Sequence, residues 1–321
     1  MLLLGGATAS GKTALSLELA ARSGALVVGA DAQQLYRDLP VLTARPTPAE
    51  MARAPHRLFG ILGPEVATTA GAWLELVRPV LAEAVAAGRP VVLVGGTGLY
   101  MLALLRGLAP VPPVPEAVRR RWREDPRPTA ALHAELARRD PGMAARLAPG
   151  DRQRILRALE VITATGRSLA DFWPATAPPV TFAAGVEGVA LLPSREVLAR
   201  RIAARVEAML TAGVLEEIRA LAAVRPDLRR LPIARLHGLR AFLDHLEGRA
   251  NLAAATARTV LETRRYAKRQ RTFFRGRLGG FRPVEACGPE VPARLLAELL
   301  AFLRGARPGV PARTLLGRPR D

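Results

Sequence analysis

The stretch Gly6-Ala7-Thr8-Ala9-Ser10-Gly11-Lys12-Thr13 fits Gly-x-x-x-x-Gly-Lys-Ser/Thr, the pattern of a phosphate-cradling loop. Leu2-Leu3-Leu4 before it reads as a short buried strand, and Ala14 to Ala20 after it as a helix, the context this motif requires. The glycines let the backbone curl so that N–H groups point inward, and the start of the helix adds its positive end. Lys12 supplies a mobile point charge, and the Thr13 hydroxyl can ligate Mg²⁺. These residues indicate a site for a diphosphate or polyphosphate, without specifying the reaction.

Outward from the loop, the next apolar run, Ala25 to Ala30, ends in Asp31-Ala32-Gln33-Gln34-Leu35-Tyr36. A parallel strand there carries those polar groups at its C-terminal end, the edge that faces the ligand crevice in open α/β sheets. Leu58 to Leu62 reads as a strand or strand-like segment, Ala70 to Ala87 as a helix, and Pro90 to Val94 as a buried strand running into Gly95-Gly96-Thr97-Gly98-Leu99-Tyr100. A generic phosphate-loop ATPase often ends such a strand in an Asp that helps hold Mg²⁺. Glycines and Thr97 stand there instead, allowing close backbone approach and offering a hydroxyl. Two proline-rich stretches, 107–115 and 174–179, read as stiff connectors around a helical, Arg-rich block. A strand resumes at Gly185 to Leu192, followed by helices, with Arg201 and Arg205 sharing a face. Asn251 to Arg275 reads as one long basic helix that mixes cations with Tyr266, Phe273 and Phe274, a surface able to contact phosphates and stack on bases. A second basic segment runs from Asp151, a helix N-cap, to Glu160.

The 321 residues, half of them hydrophobic, suffice for one large or two smaller domains. The formal charge is +19, which points to a polyanionic partner, nucleic acid first. Arg-rich composition is the competing explanation. Lysine occurs only at positions 12 and 268, in the phosphate loop and in the densest basic stretch, which suggests that a compact ammonium is wanted at both. With Cys287 as the sole cysteine, neither an internal disulfide nor a cysteine zinc cluster can form. No apolar run reaches membrane-span length and no basic segment precedes the N-terminal apolar stretch, so a cytoplasmic protein without membrane contact is expected. The histidines at 56, 133, 237 and 245 are dispersed and read as structural, with His56 the best exception.

Taken in order, the motifs Gly6–Thr13, Asp31–Tyr36, Gly95–Tyr100, Asp151–Glu160 and Tyr266–Arg275 resemble those of the tRNA dimethylallyltransferase family, also called tRNA isopentenyltransferases. The likeness runs from about Leu2 to Arg275. It implies an α/β fold: a P-loop NTPase-like parallel-sheet core, residues 1–112 and 186–290, with an inserted helical tRNA-binding subdomain, residues 113–185. The tail, 305–321, reads as disordered. The implied reaction moves a dimethylallyl group from dimethylallyl diphosphate to the N6 amine of the tRNA adenosine 3′ of the anticodon, position 37. The implied partner is the tRNA anticodon arm, the implied cofactor Mg²⁺ at Thr13, and the implied assembly a monomer.

The resemblance also assigns residues. Gly6, Ala7, Thr8, Ala9, Ser10, Gly11, Lys12 and Thr13, with Arg205, would hold the diphosphate, and Lys12 would stabilise its departure. Asp31 would accept the adenine proton, with Thr97 beside it. Asp31, Ala32, Gln33, Gln34, Thr97, Arg119, Gln153, Arg154, Ile155, Leu156, Arg157, Arg235, Arg240, Lys268, Arg269, Gln270 and Arg275 would touch the tRNA. The chain departs from the family pattern at Ala7 for Pro, Ala32 for Ser, Arg57 for His, His237-Gly238-Leu239 for Ile/Val-Gly-Tyr, and Phe273 for Trp. The rivals are a phosphate-loop kinase using ATP, which would not need the basic helices, and a non-catalytic RNA-binding nucleotide switch.

Overall fold

A computed structural model describes residues 1–180, 185–306 and 308–316. The chain divides into two compact units, residues 1–105 with 179–321, and residues 106–178.

In the first unit, six strands form one all-parallel sheet: β1 Leu2–Gly6, β2 Leu26–Gly29, β3 His56–Arg57, β4 Val91–Val94, β5 Glu187–Leu191 and β6 Arg282–Val284. Their order is β3-β2-β4-β1-β5-β6, so β1 lies in the middle, flanked by β4 and β5. Side chains alternate between faces along β1. Leu3 joins a core with Trp73, Tyr100 and Phe274, and Leu2 and Leu4 join the opposite core with Leu15, Leu19 and Leu299. With both faces covered, the strands read as continuous apolar runs, which is why they are legible in sequence.

The helices of this unit are α1 Lys12–Ser23, α2 Pro40–Thr43, α3 Pro48–Met51, α4 Ala70–Ala86 and α5 Gly98–Arg106, whose last residue opens the second unit. In the second unit lie α6 Glu116–Arg123, α7 Thr129–Arg139, α8 Pro141–Arg146 and α9 Arg152–Thr165. The first unit then resumes with α10 Arg195–Thr211, α11 Val214–Val224, α12 Leu239–Leu246, α13 Leu252–Gly276 and α14 Ala293–Leu303. Local chemistry sets several helix starts. Asn251 caps α13 by accepting from Ala254 N–H, and Asp151 caps α9 by accepting from Arg154 N–H, 2.8 and 3.2 Å.

Three expectations are corrected. Leu58–Leu62 is strand-like and not a full strand: Leu58 takes φ 64°, which ends the β geometry after the two-residue β3, and what remains is one bridge, Leu62 with Tyr36, beside backbone bonds from Gly60 and Ile61 to Gln34 and Leu35. The first proline-rich stretch is no free connector. Val114 is buried with Val161 and Phe172, and Gly107, at φ 93°, lies against Ala177, so the second unit spans 106–178 instead of 113–185. The tail from 308 to 316 is ordered on the core. Val310 exchanges two 2.8 Å backbone hydrogen bonds with Val186, Leu315 packs over Gly188, and Val310, Ala312 and Leu316 lie against the same core. Residues 307 and 317–321 of that expected disordered tail lie outside the described residues.

Candidate active site

The loop between β1 and α1 adopts the geometry its glycines permit. Gly6 has φ 139°, and a Cβ there would stand 2.3 Å from Leu191 O. Gly11, at φ 81°, is the N-cap of α1 and provides no side-chain hydrogen bond, so the helix start stays open. Its first-turn N–H groups have no intrahelical acceptors and can receive an anion. Ala9 between them also holds a positive φ, 61°, a strained value for a residue with a Cβ. The strain is restrained from outside the loop. Arg201 Nε donates to Ala9 O at 2.9 Å, and Gly288 N–H donates to Ser10 O at 2.8 Å. Nothing in the motif announces this second contact. It arises because Gly288, lacking a Cβ, closes onto the Gly11 backbone.

The loop opens into a cavity of about 930 Å³ at the C-terminal edge of the sheet, lined by Thr8, Ala9, Gly11, Lys12, Thr13, Asp31, Gln33, Gln34, Arg201, Arg205 and Tyr266, with an apolar wall that includes Val41, Phe59 and Met209. Gly6, Ala7 and Ser10 do not line it. They are buried, and Ser10 N–H is spent on Ala7 O, so these three shape the loop and do not present groups to a ligand. Lys12 Nζ donates to Ala7 O at 2.6 Å. Burial pushes its ammonium down to about 8, with Asp31 opposing that shift and Arg205 adding to it. Arg205 donates to Thr8 Oγ1 at 3.0 Å and to Thr43 O at 3.3 Å, while its buried Nε has no partner among the described residues. One guanidinium thus ties the phosphate loop to the end of α2.

Asp31 follows β2. Its Oδ1 accepts from Gln33 N–H at 3.0 Å and its Oδ2 from Gly96 N–H at 3.2 Å. Thr97 Oγ1 accepts from Ala32 N–H at 2.9 Å, and Thr97 N–H donates to Ala30 O at 3.2 Å. The Gly-Gly-Thr turn after β4 therefore clasps the end of β2. Gly95 must be glycine for this approach, since a Cβ there would lie 2.1 Å from Ala30 O. Tyr266 stands over the same corner. Burial pushes its phenol up, offset in part by Thr97, Gln33 and Gln270, and the His237 ring packs 4.6 Å from it. Burial likewise pushes the His237 imidazole down, so a histidine read as structural borders the site in its neutral form.

Several sequence-assigned residues sit elsewhere or act otherwise. Gln270 is buried, not presented to a partner: it shares the inward row of α13 with Ala267 and Phe274. Ile155 is fully buried and Leu156 packs beside it in the core of the second unit, because positions 155, 158 and 159 form the inner face of α9. Gln34 Nε2 is spent on Thr43 O and Ala44 O, 3.3 and 2.8 Å. Arg119 is held by Val114 O and Arg240 by Ala234 O and Arg229 O. Exposed at their surfaces are Gln153, Arg154 and Arg157 in the second unit, and Arg235, Lys268, Arg269 and Arg275 in the first. Arg154 pairs loosely with Asp151, Arg157 with the buried Glu160, and Arg275 with Glu285, at 3.3, 3.5 and 3.8 Å.

A family model described as IPP transferase matches residues 34–277. The chain belongs to the IPP transferase family. It is 52% identical over 289 residues to a tRNA dimethylallyltransferase of Rhodopseudomonas palustris, covering 88% of this chain and 90% of that one. A tRNA dimethylallyltransferase of Methylocella silvestris is 48% identical over 282 residues, 87% of this chain and 93% of the relative. Among solved structures, the tRNA isopentenylpyrophosphate transferase of Bacillus halodurans superposes with TM-score 0.66 at 30% identity, covering 95% of both chains. A eukaryotic dimethylallyltransferase solved while acting on tRNA shares the fold, with TM-score 0.79 at 22% identity over 92% of this chain and 77% of that one. In this IPP transferase the matched span begins at Gln34 and ends just past α13, while the phosphate loop, Asp31 and Gln33 lie before it.

Proposed function

We propose that this IPP transferase moves a dimethylallyl group from dimethylallyl diphosphate to the N6 amine of the tRNA adenosine adjacent to the 3′ side of the anticodon. The observation that carries the reading is the two-faced α13. Its inner row braces the phosphate loop and the Asp31 corner, while Arg264, Arg265, Lys268, Arg269, Thr272 and Arg275 lie exposed along its length. A phosphate site and a polyanion-binding surface thus occupy opposite sides of one element. A small-molecule kinase has no use for the outer row.

In the proposed step the adenine N6 forms a bond to the allylic C1 and the C1–O bond breaks. Diphosphate departs with the bonding electrons, and the N6 proton passes to Asp31. The first-turn N–H groups of α1, Lys12 and Arg205 are placed to take up the charge that develops on the leaving group. The adenine amine is a weak nucleophile, so removal of its proton by a carboxylate held in the same cavity aids the attack. To enter, the base leaves its stack. Mg²⁺ fits the donor set. The Thr13 hydroxyl lines the cavity, and no cluster of three or more His, Cys, Asp or Glu among the described residues could hold an ion, so diphosphate oxygens and water would complete its shell. Bound there, the ion would neutralise charge on the diphosphate. We place the enzyme in the cytoplasm as a monomer.

The test is to incubate the purified protein with undermodified tRNA and either dimethylallyl diphosphate or ATP. Gain of one prenyl group on the adenosine supports the reading, and phosphate transfer from ATP or RNA binding with neither product overturns it. Salt dependence checks the outer row. Lys268→Ala should weaken tRNA binding and flatten the plot of log affinity against log salt by about 0.7–0.9, the release expected from one lost phosphate contact. Arg154, Arg157 and Arg275 already have acidic neighbours, so their replacement should flatten it less. An unchanged slope in the Lys268 variant would mean that the row is only solvated.

A further inference from the structure

Among the described residues, Gln270 joins the phosphate loop directly to the corner holding Asp31. Its Oε1 accepts from Thr8 N–H at 2.8 Å, and its Nε2 donates to Gly96 O at 2.9 Å. Gly96 in turn presents its N–H to Asp31 Oδ2 at 3.2 Å. The run Thr8–Gln270–Gly96–Asp31 therefore links the ends of three strands, β1, β4 and β2, through one amide delivered by α13. The amide is 4% exposed, and both its ends are engaged. Gly96 is fitted to it: a Cβ there would stand 2.1 Å from Gln270 Nε2 and 3.0 Å from Asp31 Oδ2. The surrounding packing is as close. Gly98 would meet the Phe273 ring at 2.5 Å and Gly5 the Phe274 ring at 2.1 Å, so α13 is pressed onto the strand ends on either side of Gln270.

Because Thr8 N–H is occupied by Gln270, it is not one of the donors offered to a phosphate. The amide's work is directed at geometry. An amide alone suits both contacts at once, since one end must accept from an N–H and the other must donate to a carbonyl. A carboxylate would place an oxygen against Gly96 O, and an apolar isostere would leave two buried polar groups unsatisfied.

We propose that Gln270 is a positioning residue for prenyl transfer: it sets the distance and angle between the leaving diphosphate and Asp31 by gripping Thr8 and Gly96 together. This rests on the reading of Asp31 as proton acceptor. Misplacing a reacting group by about 1 Å can cost about 10²-fold in rate without loss of binding.

The test is a double-mutant cycle read in single turnovers with tRNA and dimethylallyl diphosphate, using Gln270→Met, Asp31→Asn and the pair. Gln270→Met should slow the transfer step about 10²-fold while the affinities for both substrates stay within about threefold, and it should cost nothing further in the Asp31→Asn background. Gly96→Ala, which drives the amide off the turn, should reproduce that pattern. A wild-type rate for Gln270→Met, or a loss fully additive with Asp31→Asn, overturns the proposal while leaving Asp31 as acceptor. If Asp31→Asn itself retains full rate, the reading of Asp31 fails first and the proposal falls with it. If neither Gln270→Met nor Gly96→Ala folds, as judged by melting and circular dichroism, the amide is structural cement and the proposal is likewise overturned.

Discussion

Asp31→Asn is expected to bind tRNA and dimethylallyl diphosphate normally and to lose about 10²–10⁴ in single-turnover rate, the range for removal of a general base. Asparagine is the informative replacement. Asp31 accepts from Gln33 N–H through Oδ1 and from Gly96 N–H through Oδ2, and Asn keeps an oxygen for one of those donors while abolishing the basic carboxylate. Asp31→Ala should lose the same chemistry and, in addition, about 1–3 kcal/mol of stability, because it strands backbone donors in a partly buried corner. The ratio of the two melting losses therefore measures the structural task, and the shared rate loss measures the chemical one. A metal-holding task would behave differently, since excess Mg²⁺ would restore part of the rate by mass action. Full activity of Asp31→Asn, or rescue by metal, would leave the adenine proton without an acceptor.

Lys12→Met should reduce the transfer rate about 10²–10³-fold, as expected when a preorganised electrostatic stabiliser is removed, with tRNA affinity unchanged. The same variant should melt higher than the wild type at pH 7 when neither diphosphate nor Mg²⁺ is present. Burial lowers the Lys12 ammonium from 10.5 in the ordinary state to about 8. Below about 8 the folded protein carries a charge that burial disfavours, whereas in the unfolded chain that charge is solvated. Between about 8 and 10.5 the unfolded chain binds more protons at this lysine, so wild-type stability rises with pH across that window. The thermal advantage of Lys12→Met should accordingly shrink as pH is raised from 7 towards 10. Equal melting temperatures at both ends of the range would mean that the ammonium is solvated in the free protein. Near-wild-type turnover would contradict its part in stabilising the diphosphate.

What the sequence determined by itself is local or periodic. The Gly6–Thr13 loop, the apolar β1, β2, β4 and β5, the caps Asn251 and Asp151 and the acidic end of β2 are all written in contiguous residues. Each depends on steric limits, hydrogen-bond needs or burial patterns that a few neighbours set. Only the tertiary structure decided which of the named residues act together. In sequence α13 mixes cations, aromatics and Gln270 without saying which faces inward, and it is the docking of one helical row onto the strand ends that buries Gln270 and leaves Lys268 outside. The same rotation argument removes Ile155 from any partner's reach, since α9 turns it into a core. Gly288 on the Gly11 backbone, His237 on Tyr266 and the strand-like pairing of Val310 with Val186 join residues far apart in the chain. No local pattern encodes such contacts. They follow from how separate elements pack, where the missing Cβ of a glycine or the helical phase of one side chain determines what can touch.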